Sequence, residues 1–288
     1  MIELKNDIES LRSLSQIFSP SNFKKVVREK DYSFVDKRFN KHLKTNTIYN
    51  RGELLEYLYK EMQDNYKSEY LYKNVLINKL LLGKYSLNTT TIINEFKIGN
   101  SIADFVLLNG EARIFEIKTE FDSLEKLKKQ LSDYCQFANK VYIVSNHKFI
   151  AKLISEYNNS TIGIIEITQQ NALKEIKIAQ ENVSTFNHLT IFKTLRKQEY
   201  LEIIYDLFGG IPDVPNTQIF KECLNLIRSI DVALFQKYAF QKLKERKLKC
   251  PNFLKSEQTP YELKHICYSL NMTENEYIEL YSFLNQKI

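Results

Sequence analysis

At 288 residues the chain can bury a sizeable core, as one large domain or two modest ones. An apolar fraction of 43%, with 12% aromatic residues, excludes a disordered chain, and no apolar run is long enough for a membrane span. The net charge of +6, from 41 basic and 35 acidic residues, permits contact with a phosphate backbone without requiring it.

The first residues, Met1 to Asp7, carry acids and no apolar stretch, so they do not read as a secretory signal, and a cytoplasmic setting is expected. Residues 1–66 read as a helical N-terminal region with turns near Ser19-Pro20 and Arg51-Gly52. Its many lysines and arginines suit a solvated helical face or a nucleic-acid contact. The spacing of Leu71, Val75, Leu76, Leu80 and Leu82 predicts a longer helix over 68–82, stopped by Gly83.

Then the period changes from helical to alternating. Strands are expected over 91–96, 102–108 and 112–118, the last two joined through Asn109-Gly110, a strong hairpin signal. Asp122 and Ser123 offer an N-cap for a helix over 124–138. Val141 to Val144 suits a strand buried on both faces. A helix over 148–157 and a strand over 162–167 follow. This order predicts a mixed α/β domain over 67–170.

From 185 to 288 the pattern is helical, broken near Gly209-Gly210 and at Cys250-Pro251, and reads as a separate C-terminal lobe. A basic run, Lys237, Lys242, Lys244, Arg246, Lys247 and Lys249, suits a nucleic-acid-facing helix or a solvated face with Tyr238 and Phe240 on its core side. Cys135, Cys223, Cys250 and Cys267 form no CxxC pair; the spacing of Cys250, His265 and Cys267 is wrong for the usual zinc sites, which leaves buried free thiols.

Chemistry concentrates in the strand Ile114-Phe115-Glu116-Ile117-Lys118. Side chains alternate along a strand, so Glu116 and Lys118 share one face and Phe115 and Ile117 the other. Buried charges need partners or a metal. Asp104 sits inside the preceding apolar strand, where aspartate is disfavoured. Register decides whether the acids meet. A two-residue Asn109-Gly110 turn pairs Asp104 with Phe115 and separates the acids; a three-residue loop with Gly110 left-handed, or a bulge, puts Asp104 on the face of Glu116 and Lys118. Two carboxylates on adjacent strands then make an oxygen site suited to Mg²⁺ or Mn²⁺, with Lys118 placed to hold a water or offset phosphate charge. Without that parity, Asp104 reads as a strand residue satisfied by backbone donors and Glu116–Lys118 as a surface ion pair.

Ala103-Asp104 followed by Glu116-Ile117-Lys118 resembles the signature of the PD-(D/E)XK nuclease superfamily, with alanine where proline is often seen. Gln130 and Tyr134, neighbours on a helix, resemble the Q-x-x-x-Y element of its RecB-like branch, although a plain helix surface with one core tyrosine has the same pattern. The nearest look is to a subgroup of uncharacterised bacterial domains in mobile or defence-related settings. The resemblance covers 68–168. It implies a restriction-endonuclease-like mixed-sheet core flanked by helical regions, with Asp104, Glu116, Lys118, Gln130 and Tyr134 catalytic. It also implies metal ligation by Asp104, Glu116 and the Ile117 carbonyl. An upstream acid is usual; Glu69 and Glu95 are both candidates, and the family's preference for a helical glutamate favours Glu69.

The implied activity is a Mg²⁺-dependent deoxyribonuclease, an endonuclease in defence, mobile-element or repair settings, with RNA still open as substrate. A protein partner or homodimer and no membrane are expected. No G-x-x-x-x-G-K-[ST] is present, so a motor would be a partner. The alternative is a catalytically silent DNA- or protein-binding module on the same fold.

Overall fold

The computed structural model describes residues 2–4, 7–45 and 47–288. The chain folds as two compact units, one of residues 1–87, 169–172 and 248–288, the other of 88–168 and 173–247.

The first unit is mainly helical. A short antiparallel ladder joins β1 (Ile2–Leu4) to β2 (Leu43–Thr45). Helix Arg51–Asn65 starts at a capping box in which the Asn50 side chain accepts from the Glu53 N–H and the Glu53 carboxylate accepts from the Asn50 N–H. Its first residue, Arg51, holds both oxygens of Asp36 at 2.8 Å and the side chain of Gln286 at 2.7 Å, tying distant parts of the sequence together. The helix expected over 68–82 forms as Glu69–Leu76 followed by a wider π-helical turn, Ile77–Leu82. It belongs to this unit, not to the sheet domain. The Asn74 side chain donates from Nδ2 to the Tyr59 hydroxyl and to the Tyr261 carbonyl, and its Oδ1 accepts the His265 N–H at 3.0 Å. Thus the N-terminal helices and the last helices, Lys264–Leu270 and Glu274–Asn285, share one core. The expected three-part division at 66/67, 170 and 185 is regrouped into two units.

The second unit is built on a six-stranded mixed sheet in the order β3 (Thr91–Ile98), β4 (Ser101–Asn109), β5 (Glu111–Lys118), β6 (Lys140–Ser145), β7 (Gly163–Ile167), β8 (Leu173–Lys177). The mixed α/β class with flanking helices is therefore present. The first three strands form an antiparallel meander, β5, β6 and β7 run parallel, and β8 returns antiparallel. Parallel neighbours need crossovers; helices Leu127–Cys135 and His147–Tyr157 supply them. Lys177 of β8 donates to the carbonyls of Tyr157, Ser160 and Ile162 at 2.6–2.7 Å, satisfying chain just past the second of these helices.

One face of the sheet (Val106, Leu108, Ala112 and Ile114) packs with Leu127, Leu131 and Tyr134 and, in the same core, with Phe192, Ile203, Cys223 and Phe235. Helices His188–Phe192, Lys197–Phe208, Asn216–Ile227 and Val232–Lys244 are thus part of the sheet's own core rather than a separate lobe. Gln236 extends the union by donating to the Phe137 carbonyl and to Asn139, whose side chain also accepts from Ala112 N–H. Among the described residues, no helix is long and apolar enough to cross a membrane.

Candidate active site

The β4–β5 hairpin turns at Gly110, which is left-handed at φ +69°, a conformation free of cost only for glycine. Asn109 pairs with Glu111, Leu108 with Ala112, and so on to Phe105 with Phe115. The connection is therefore odd in length, and the ladder ends at Phe105 and Phe115, one step short of Asp104 and Glu116. The Ile117 N–H turns to the Asp104 carboxylate, at 2.8 Å.

Glu116 is only 2% exposed. Its Oε1 accepts from Lys118 Nζ at 2.7 Å and from Gln130 Nε2 at 2.6 Å. The Tyr134 hydroxyl lies 2.7 Å from its Oε2 and 2.7 Å from the Ile102 carbonyl oxygen, with one proton to divide between them. Lys118 also donates to Gln130 Oε1 at 3.1 Å. Burial, then the neighbouring Glu116 charge, pushes the Tyr134 hydroxyl far above its ordinary value, so it stays a donor. The helix spacing of Gln130 and Tyr134 brings both onto one carboxylate. Asp133 between them faces the other way along the same edge, accepting from Ser101 Oγ at 2.6 Å and Asn100 N–H at 3.2 Å, next to left-handed Gly99.

The two upstream acids fall in different units. Glu69 begins the Glu69–Leu76 helix and is paired with Lys73 at 2.6 Å. Glu95 lies on β3 between Asn94, opposite Phe105, and Phe96, opposite Ala103. Between those pairs the backbone register leaves Glu95 level with Asp104 on the adjacent strand. Its φ of +51° is rare for a residue with a Cβ. At this point the strands' facing reverses: Phe96, Ile98 and Ala103 join the core that Val106 and Leu108 join.

The donors fit a hard cation. All are oxygens, and Mg²⁺ commonly takes only one or two protein carboxylates, completing its shell with water. Asp104 and Glu116 are two carboxylates of this kind on adjacent strands. Among the described residues, however, no three His, Cys, Asp or Glu side chains converge as a ready-made cage.

Asp122 does not cap a helix at 124. It accepts from Thr119 N–H and Thr119 Oγ at 2.7 Å each, closing a turn directly after Lys118, and the helix begins at Leu127 without a side-chain cap. Thr119-Glu120-Phe121-Asp122 carries this turn signal in its first and last residues. In the basic run, Arg246 forks onto Glu199 at 2.7 and 2.6 Å and Lys242 pairs with Glu202 at 3.0 Å, so two of its members are structural.

Comparison with known proteins gives one family: the model described as bacteriophage P4 protein cII matches residues 62–266. Protein cII of Enterobacteria phage P4 is 31% identical over 153 residues, covering 52% of this chain and 56% of that protein. The chain thus spans about half the length of that curated relative. A solved structure of a protein of unknown function from Silicibacter pomeroyi overlaps 42% of this chain and 82% of its own, at 15% identity and a TM-score of 0.28.

Proposed function

We propose that this chain, which belongs to the bacteriophage P4 protein cII family, is a divalent-metal-dependent nuclease of the PD-(D/E)XK type acting on DNA. One observation carries the reading: a buried strand carboxylate, Glu116, gathers Lys118, Gln130 and Tyr134 next to Asp104. Burying a carboxylate and an ammonium in a strand costs folding free energy that apolar residues would not. Such a cluster at a sheet end, with a strained acid beside it, is the pattern of a functional site.

Asp104, Glu116 and the Ile117 carbonyl would hold Mg²⁺ or Mn²⁺, with Glu95 as a further acid. Bound there, the metal would polarise a phosphate oxygen and acidify a water. Lys118 supplies the positive charge that meets negative charge building on the phosphate. Gln130 bridges Lys118 to Glu116 and fixes the distance between them. Tyr134 holds the far oxygen of Glu116 and sets the plane of the carboxylate. Endonucleolytic cleavage in a cytoplasmic defence, mobile-element or repair setting suits this site, with a protein partner or homodimer compatible.

The test is cleavage of supercoiled, linear and single-stranded DNA, and of RNA, with Mg²⁺, Mn²⁺ or EDTA. Metal-dependent cleavage lost in folded Asp104→Ala and Lys118→Ala is expected. A second reading, a silent DNA- or protein-binding module, draws on the side-chain donors that already engage both oxygens of Glu116. Intact DNA binding without cleavage of any substrate would favour it.

A further inference from the structure

Phe121 stands three residues beyond Lys118 and is 55% exposed, unusual for a phenylalanine. It is not on a loose loop. Asp122 accepts twice from Thr119, and the Phe121 N–H itself donates to Thr119 Oγ at 3.3 Å. The ring is therefore presented by a braced turn at the end of β5. The chain then leads into the helix that carries Gln130, and Lys126, Lys128 and Lys129 at its start are all exposed. The acid next to Phe121, Glu120, is paired with Lys148.

An exposed aromatic ring on a braced turn, three residues past the carboxylate–lysine pair and followed in the chain by three exposed lysines, matches the chemistry of an unpaired nucleic-acid strand: a flat base to stack and phosphates to neutralise. In a duplex, neighbouring bases already cover those faces. We infer that Phe121 stacks on a base of a single-stranded DNA segment while Lys126, Lys128 and Lys129 meet its phosphates. The inference rests on the nucleic-acid substrate of the proposed function.

The test is binding of a fluorescent oligothymidylate to the full-length protein in EDTA, where cleavage plays no part. Matched oligouridylate and duplex DNA run in parallel. Stacking of about 1–3 kcal/mol, at 1.4 kcal/mol per factor of ten, predicts weaker single-strand binding by about five- to a hundredfold in Phe121→Ala. Phe121→Trp should retain binding and Phe121→Leu should not, with circular dichroism unchanged in all three. Replacing the three lysines with glutamine should lower the salt dependence by about two logarithmic units per decade of salt, at about 0.7 per phosphate. Wild-type-like binding in Phe121→Ala, full retention in Phe121→Leu, an equal loss on duplex DNA, tighter binding to RNA, or no oligonucleotide binding at all would each overturn the inference. Cleavage by the Asp104→Ala variant, measured separately, tests the nuclease reading without touching this one.

Discussion

Glu199–Arg246 and Glu116–Lys118 are both short, largely buried ion pairs of the sheet-bearing unit, at 2.6 and 2.7 Å. Their surroundings differ. Arg246 grips Glu199 with two nitrogens while the carboxylate also accepts the Arg196 N–H, so every bond closes a helix end or joins two helices. Burial raises the Glu199 carboxyl, but the bonds from Arg246 and Arg196 outweigh it and hold the group below its usual value. Glu116 is instead met by three chemically different side chains on a strand end, beside another acid. A fork of one arginine suits a fixed joint. A lysine, an amide and a phenol around one carboxylate suit a place where ligands exchange. The two pairs teach that distance alone does not separate a fixed joint from the cluster assigned to the proposed nuclease; the identity of the remaining partners is what differs.

The strongest way to break this comparison is to cut each pair and read activity. Lys118→Ala and Asp104→Asn are expected to lower metal-dependent cleavage by about a hundredfold or more, whereas Arg246→Met should leave the turnover of the folded fraction unchanged. Equal activity losses from both pairs would erase the distinction.

Stability should divide in the opposite sense. Glu199→Gln and Arg246→Met are expected to cost about 1.5–3 kcal/mol in urea unfolding near neutral pH, as bonds to a charged partner do. Because folding depresses the Glu199 value below 4.5, its contribution is complete above about pH 4.5 and fades as pH falls through the folded value. The gap between the parent protein and Glu199→Gln should therefore narrow in acid; a gap that widens there would reverse the sign.

Tyr134→Phe sharpens the other side. It leaves Glu116 and the Ile102 carbonyl short of one donor in a buried place, for an expected loss of about 1–2 kcal/mol with an unchanged denaturant slope. The smallest effect belongs to Glu95→Gly, which releases a left-handed residue. It should stabilise by about 1 kcal/mol in the same assay while weakening cleavage. A gain in stability with full cleavage would remove Glu95 from the site.

Local patterns in the sequence were enough for the strands around Asp104 and Glu116, the hairpin at Gly110 and the helix bearing Gln130 and Tyr134. Alternation, turn chemistry and helical spacing act over a few residues, and they reduced the site to one question, the parity of the turn. The answer, an odd connection whose ladder runs to Phe105 and Phe115 next to the two acids, depended on how two strands pair. β8 stayed hidden because Leu173-Lys174-Glu175-Ile176-Lys177 is an edge strand whose charges mask any alternation. The helix start at Leu127 was displaced because Asp122 spends its carboxylate on Thr119 instead of on a cap.

What the sequence by itself determined was the kind of element at each place and which side chains could share a face, since both follow from backbone geometry. Only the tertiary structure decided that helices from the two ends of the chain form one unit, that the helices of 188–244 complete the core of the sheet, and that Glu95 lies level with Asp104 on the neighbouring strand while Glu69 belongs to the other unit. Those outcomes depend on burying apolar surface between segments far apart in the chain. No local spacing encodes which segments will meet.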